Sequence, residues 1–557
     1  MEKLLEPLRD GAGQRDVLRV LSDALLEKAD PWGEAIQLAL DLEARFPGED
    51  EAIDGERRLR RLIARHGASW NTRLNGARTD PWDSWVQWYR AMPAWVDAHD
   101  RDIKKRLDGP IGSLSMPVGS EFMRHAAVER VTQLFINPHA QSTKLDLSRA
   151  KSVTSLSVPW LGQVTLDALE KAPCLPKLES LHLVSGQAVA ISRPELERLL
   201  AFNLPKLDRL AFERLEFGVP GAEALRDGLK WKLQRLNLEA AGLGVKGSVA
   251  LFAAKWFPSL RQLSLADNTM GPAGAEALAA VPFKQLTALD LSHTASAAKS
   301  LVPFIEKAKW PSLRALRLVG AGFKGKAASA LAKLQFSELR QLALSHQLMG
   351  DEGLGEFSKS KSLKKVRVLL LDNNAIKGPG LAALGASPVL KTVEELELSH
   401  NKFQNTGAKG LGASKNLGSL RVLTLGHNWL GVQGLKLILG NASLKKFEEL
   451  REGMNNYAAA LPKTFASSKT LSLVSLRLGP ETTTDALEEL LASPRVATLE
   501  WIDFSCVAFD DVQAEALLAG PLAKAKTVVK VNRRWCSQLT DAGAEKLKPL
   551  GARLDFI

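Results

Sequence analysis

The chain has 557 residues, 45% of them hydrophobic and 24% charged, so it can bury a large core and is not a disordered segment. Lys and Arg number 74 against 62 Asp and Glu, a formal net charge of +12. Its three cysteines, Cys174, Cys506 and Cys536, lie far apart with no CxxC spacing, which excludes a disulfide scaffold or a zinc ribbon and fits a reducing compartment.

The opening residues, MEKLLEPLRDGAGQRD, lack the basic start and continuous apolar run of a signal peptide. No stretch approaches the roughly 18 apolar residues of a membrane span, so a soluble, cytoplasmic protein is expected. Asp16–Glu43 predicts two helices broken at Asp30-Pro31, and Glu56–Trp70 predicts a third. In that third helix Arg57, Arg58, Arg60, Arg61 and Arg65 are interrupted by Leu59, Leu62 and Ile63 at helical spacing. The plain reading is a solvated amphipathic face, and the functional one is a nucleic-acid or membrane surface. On LSDALLEKADPWGEAIQLAL and ERRLRRLIARHGASW, residues 1–75 resemble the bacterial repeat-companion domain of the myxobacterial type, a helical module found ahead of repeat arrays with no established activity to carry over. Trp82, Trp85, Trp88 and Trp95, at spacings of three and seven, predict a helical stripe over residues 76–130 that caps the first repeat, with a partner-binding aromatic patch as the alternative.

From Leu178 the pattern LxxLxL recurs at steps of 26–27 residues: LESLHL, LDRLAF, LQRLNL, LRQLSL, LTALDL, LRALRL, LRQLAL, VRVLLL, VEELEL and LRVLTL, the first step alone being 29. Weaker copies begin at Phe447, Leu473 and Val496; Val131 and Val153 open the array, and VVKVNR near Val528 closes it ahead of LTDAGAEKL at Leu539. LxL at period two places two side chains on one face of a short strand, and the rest of each repeat reads as a helix. Pro272 suits a first helical turn, with Ala275, Leu278 and Ala279 on one face. FEELRE puts Glu452 where the last core leucine belongs, so the C-terminal third is expected to be irregular.

LADNTMGPAGAEAL, LDNNAIKGPGLAAL and LSHNKFQNTGAKGL resemble leucine-rich repeats of the ribonuclease-inhibitor-like subclass. The resemblance covers residues 131–546, with 547–557 as the end of the array. It implies an α/β fold: a leucine-rich repeat solenoid with a parallel concave sheet and convex helices, preceded by a small all-α domain.

Pattern positions 3, 5 and 7 point out of the concave sheet. They hold five arginines (Arg209, Arg235, Arg317, Arg451, Arg477) and eight acids (Glu213, Glu239, Asp290, Asp372, Glu395, Glu397, Glu449, Glu500), so 5 minus 8 gives −3. Residues 1–150 carry 22 basic and 24 acidic residues, leaving 52 minus 38, or +14, for the remainder. The positive charge therefore lies on helices and edges, which argues against a nucleic-acid groove along the sheet. Position 2 holds Arg261, Arg314, Arg340, Arg367 and Arg421, either a solvated rim or a contact strip for an acidic partner. Position 8 holds His293, His346, His400 and His427; two adjacent histidines fall short of a zinc site. Asn268, Asn374, Asn401 and Asn428 read as turn residues that bond the backbone between repeats.

No GxxxxGK[ST], GxGxxG after a strand, HExxH or GxSxG occurs, and the cysteine contexts lack the Cys-x-Asp of repeat-bearing ubiquitin ligases. The expected function is a non-enzymatic protein–protein scaffold without cofactor or metal. Its partner, an acidic protein, would sit on the sheet face and rim around the repeats from Leu286 to Leu420: Arg261, Arg314, Arg340, Arg367 and Arg421 with Asp290, Arg317 and Glu397. The alternatives are a nucleic-acid-associated protein using the basic array and the Arg57–Arg65 helix, and a small-GTPase regulator.

Overall fold

A computed structural model describes residues 14–28, 30–66, 95–97, 113–117, 128, 131–137, 145–295, 298–451, 455, 460–467, 473–478, 482–504, 507–531, 536 and 538–556. They fall into two compact units, one from Met1–Ile63 and Thr72–Ala321 and the other from Ala64–Asn71 and Gly322–Ile557.

The first unit opens with helices α1 (Gln14–Leu26), α2 (Pro31–Ala44) and, up to Ile63, α3 (Asp50–His66). The break predicted at Asp30-Pro31 is realised as a cap. The Asp30 side chain accepts from the Trp32 amide at 3.0 Å, and Pro31 occupies the first turn, where its missing N–H has no helical partner to lose. Leu21, Ile36, Ala39 and Ile53 bury between the helices. Gly33 lets α1 and α2 pack closely, since a Cβ there would lie 2.8 Å from the Leu26 nitrogen.

Ten strands follow: β1 (Trp95–Asp97), β2 (Ser113–Pro117), β3 (Gln133–Asn137), β4 (Ser155–Pro159), β5 (Ser180–Ala190), β6 (Arg209–Glu216), β7 (Arg235–Asn237), β8 (Gln262–Ser264), β9 (Ala288–Asp290) and β10 (Ala315–Arg317). Each pairs in parallel with the next in chain order. The parallel ladder thus begins before Val131, inside the stretch read as a helical cap, and Trp95 lies in a strand; Trp82, Trp85 and Trp88 lie outside the described residues. The reason is local. β2 reads SLSMP, without the LxxLxL spacing that made later strands visible.

In the second unit β11 (Gln341–Ala343), β12 (Val368–Leu370), β13 (Glu395–Glu397), β14 (Val422–Thr424) and β15 (Glu449–Arg451) continue the motif. The central leucines Leu342, Leu369, Leu396, Leu423 and Leu450 stand in exact register. Between strands the chain returns through short helices, among them Gly350–Phe357, Gly378–Ala386, Gln404–Gly412 and Val432–Leu439. Strand leucines and helix leucines meet in a core with the fully buried Phe323, Phe336, Phe357, Phe403 and Phe447. After β15 the ladder is interrupted. β16 (Ser475–Arg477), β17 (Trp501–Asp503), β18 (Val528–Val531) and β19 (Leu554–Phe556) form a separate parallel sheet, the irregularity foreseen in the weak C-terminal copies. Glu452 itself lies outside the described residues. No helix among the described residues is long and apolar enough to cross a membrane.

Candidate functional site

In the second unit the residues just ahead of the strands form one row: Arg340, Arg367, Glu394, Arg421 and Glu448. Because neighbouring strands lie about 4.8 Å apart, opposite charges in this row bond to each other. Arg367 makes a two-pronged bond to Glu394, Nε to Oε1 at 2.9 Å and Nη2 to Oε2 at 3.0 Å. Arg421 lies 3.7 Å from Glu394 and bonds Glu448. Arg340 lies 3.2 Å from Glu338, whose carboxyl is held below its ordinary range by Lys365 and Arg340. The rim, read from its arginines as either a solvated edge or a contact strip for an acidic partner, is therefore substantially self-neutralised. Glu394 and Glu448, at the same pattern position, supply the counter-charge. Glu397, half-buried, accepts from the Ser399 amide at 2.7 Å.

In the first unit Asp290 is buried, accepts from the Ser292 amide at 2.8 Å and lies 3.5 Å from Arg317. With Glu213, Glu239 and Asp267 it forms a group of acids whose charges act on one another. His182 bonds Glu213 at 3.1 Å and lowers its pKa. Glu239 lacks a histidine partner and has only the weaker counter-charge of Arg214. Burial, then the charges of Glu213, Asp267 and Asp290, raise its pKa from 4.5 to about 7. A carboxyl whose folded pKa is raised is favourable to folding while protonated, and that advantage disappears as pH climbs from 4.5 to about 7. Glu239→Gln is accordingly expected to stabilise the protein at pH 8 and to leave it nearly unchanged at pH 5; equal shifts in melting temperature at both values would refute the assignment.

The first unit also contains a contact that no sequence pattern signalled. The turn after α2, Arg45-Phe46-Pro47-Gly48-Glu49, sits against the outward face of β6, β7 and β8. The last turn of a helix leaves its carbonyls without intrahelical partners, and α2 has no basic residue there. Strand arginines fill that need. Arg209 donates to the Glu43 carbonyl at 3.2 Å, and Arg235 donates to those of Glu43 at 3.4 Å and Arg45 at 3.1 Å. The Arg235 and Arg261 guanidinium groups also stack on the Phe46 ring, 4.3 and 4.0 Å from its centroid. Arg261 lies 3.6 Å from Glu49. Arg314 forms the last wall, its backbone packed against Gly48. Of the expected contact residues, then, Arg261 and Arg314 meet this turn, whereas Arg317 and Asp290 pair with each other.

The arginines of α3 do not make an exposed basic strip: Arg57 is buried near Asp54, Arg58 pairs with Glu34, and Arg60, Arg61 and Arg65 are half-buried. The turn residues behave as expected. Asn268 and Asn374 are buried and bond backbone groups of their own and adjacent repeats. His293, His346, His400 and His427 all take left-handed backbone conformations, and the His400 and His427 rings stack at 4.0 Å. Among the described residues no group of His, Cys, Asp or Glu is arranged to hold a metal. Cys174 and Cys536 are buried, and burial raises the Cys174 thiol to about 11, far from a reactive thiolate.

No curated protein matches the chain. The family model for leucine-rich repeats matches residues 258–279 and 389–412. Each segment carries a strand (β8 or β13), a buried asparagine turn (Asn268 or Asn401) and the return helix that follows, Gly271–Ala280 but for its last residue or Gln404–Gly412 entire. With the parallel ladders and return helices of both units, these matches identify the array as a leucine-rich repeat solenoid, an architecture that generally serves as a protein-interaction scaffold.

Proposed function

We propose that the protein is a non-enzymatic scaffold that binds a protein partner on the outward face of its strands and on the adjoining rim. Arg261, Arg314 and Arg317 with Asp290 would contribute in the first unit, and Arg340, Arg367 and Arg421 with Glu397 in the second. The N-terminal helices would serve as a companion module of the repeat array. The observation that supports this reading most directly is the grip of Arg209, Arg235 and Arg261 on a peptide turn, with carbonyls, an aromatic ring and a carboxylate as their targets. Those are groups that any protein partner offers. The ion-paired second-unit rim fits a partner of mixed charge, chosen for specificity more than for strength.

The test is affinity capture from nuclease-treated native lysate with the full chain and with Arg314, Arg340 and Arg367 changed together to Glu. A discrete protein retained by the parent and lost from the triple variant is expected. Capture that disappears with nuclease alone, together with binding that weakens steeply between about 50 and 200 mM salt, would replace this reading with nucleic-acid association.

A further inference from the structure

We infer that the Arg45–Glu49 turn is an intramolecular ligand: it fills a recognition site on β6–β8, and a partner binds there by presenting the same chemistry and displacing it. This rests on the scaffold reading above and specifies the partner's segment, an aromatic residue followed within a few positions by an acid, on a turn with exposed carbonyls.

Three features separate this contact from ordinary packing. Its charged groups converge from three successive repeats, Arg209 on β6, Arg235 on β7 and Arg261 just ahead of β8, whereas the positions of β9 and β10 in register with Arg209 and Arg235 hold Ala288 and Ala315. Its occupant is a discrete turn of five residues. Phe46-Pro47-Gly48-Glu49 closes with the Glu49 amide on the Phe46 carbonyl at 3.2 Å, and Gly48 at φ +81° supplies the left-handed residue that follows Pro in a type II turn. Four kinds of group on that turn are met by the array: the preceding carbonyls by Arg209 and Arg235, the ring by Arg235 and Arg261, the carboxylate by Arg261, and the bare Gly48 Cα by the Arg314 backbone. Phe46 is only 5% exposed, so the site is closed to a competitor while the turn is seated. The fraction of molecules with the turn released sets the apparent affinity of any competitor.

Gly48 offers a clean means of release. A Cβ at that position would lie 2.6 Å from the Arg314 carbonyl carbon, and the positive φ disfavours any side chain, so Gly48→Ala should unseat the turn without touching an arginine. Glu49→Lys, which reverses the charge facing Arg261, is the second variant in case the first folds poorly.

The experiment measures fluorescence anisotropy of a labelled peptide with the sequence of residues 43–50, EARFPGED, against the full-length chain. Release by either substitution should tighten peptide binding by roughly tenfold or more over the parent, and adding Arg235→Ala should abolish the gain. Equal binding to parent and released chains, no binding to any of them, or a gain that survives Arg235→Ala would overturn the assignment. The capture experiment above is run on the same chains. Stronger partner capture by the released chain supports displacement. Equal capture by parent and released chains keeps the scaffold reading and overturns the masking. Absence of both peptide binding and capture overturns both.

Discussion

Asn401→Ala is expected to destabilise the second unit by about 3–5 kcal/mol, because it strands several buried backbone groups at once. The Asn401 Oδ1 accepts from the Asn374 and Ile376 amides at 2.9 and 3.2 Å, and its Nδ2 donates to the carbonyls of Leu371, Leu398 and Ser399 at 3.0, 2.8 and 3.2 Å. Alanine offers neither donor nor acceptor, and the site is 2% exposed, so water does not readily take over. The effect should also travel. The Asn401 amide is itself held by Asn428, and the Asn428 amide by Asn455. Stability in a repeat array is a sum over neighbouring units, so the sensitive measurement is local: hydrogen exchange at the Asn374 and Ile376 amides should accelerate most, alongside a lower urea midpoint. A loss below about 1 kcal/mol would mean that these bonds are replaceable.

That ladder was legible in the sequence because one residue type at one pattern position performs one task. Asn374, Asn401 and Asn428 recur at steps of 27 residues, and the short side-chain amide offers two donor hydrogens and an acceptor oxygen on one planar group. Where the type changes, the task is only partly kept. Gln347 accepts the Phe323 amide at 3.0 Å, whereas the Thr294 side chain donates within its own repeat, to the Leu291 carbonyl. The strands of the array were legible for the same reason, since leucine at period two leaves little choice of face. β1 and β2 were not, because parallel pairing needs backbone and not leucine, and SLSMP has no repeat signature.

The site was less legible, and the failures are instructive. Counting arginines at position 2 found Arg340, Arg367 and Arg421 but passed over Glu394 and Glu448 in the same row, so neither the solvated rim nor the acidic-partner strip it offered included the ion-paired ladder. Arg209 and Arg235 were visible as outward-facing charges, with nothing to set them above Arg451 or Arg477. What singles them out is a turn more than 160 residues earlier in the chain. The signal Phe-Pro-Gly-Glu declares a turn, but no periodicity says where a turn docks. Local pattern fixes local geometry; contacts between segments of different period have to be seen.

Gly410→Ala and Gly355→Ala should move stability in opposite directions, although each replaces a helical glycine by the best helix former. In open surroundings the exchange gains about 0.5–1 kcal/mol, from reduced backbone entropy in the unfolded chain. Gly355, in the helix Gly350–Phe357, has nothing within 4 Å of an added Cβ and should show that gain. Gly410, in the helix Gln404–Gly412, faces the preceding helix Gly378–Ala386 at backbone distance: an added Cβ would lie 2.5 Å from the Ala382 nitrogen and 2.6 Å from its Cα. Backbone cannot rotate aside as a side chain can, so the two helices must separate. Such overpacking costs about 1–3 kcal/mol or more, enough to outweigh the helical gain. The contact is reciprocal, because a Cβ on Gly385 would meet the Gly410 carbonyl oxygen at 2.5 Å. Glycine on both faces lets these return helices approach more closely than their ordinary width of about 10 Å, nearer the 4.8 Å spacing of the strands they connect. Urea midpoints of the two variants against the parent decide the matter; a stabilised Gly410→Ala protein would show that helix spacing here is set by something other than glycine contact.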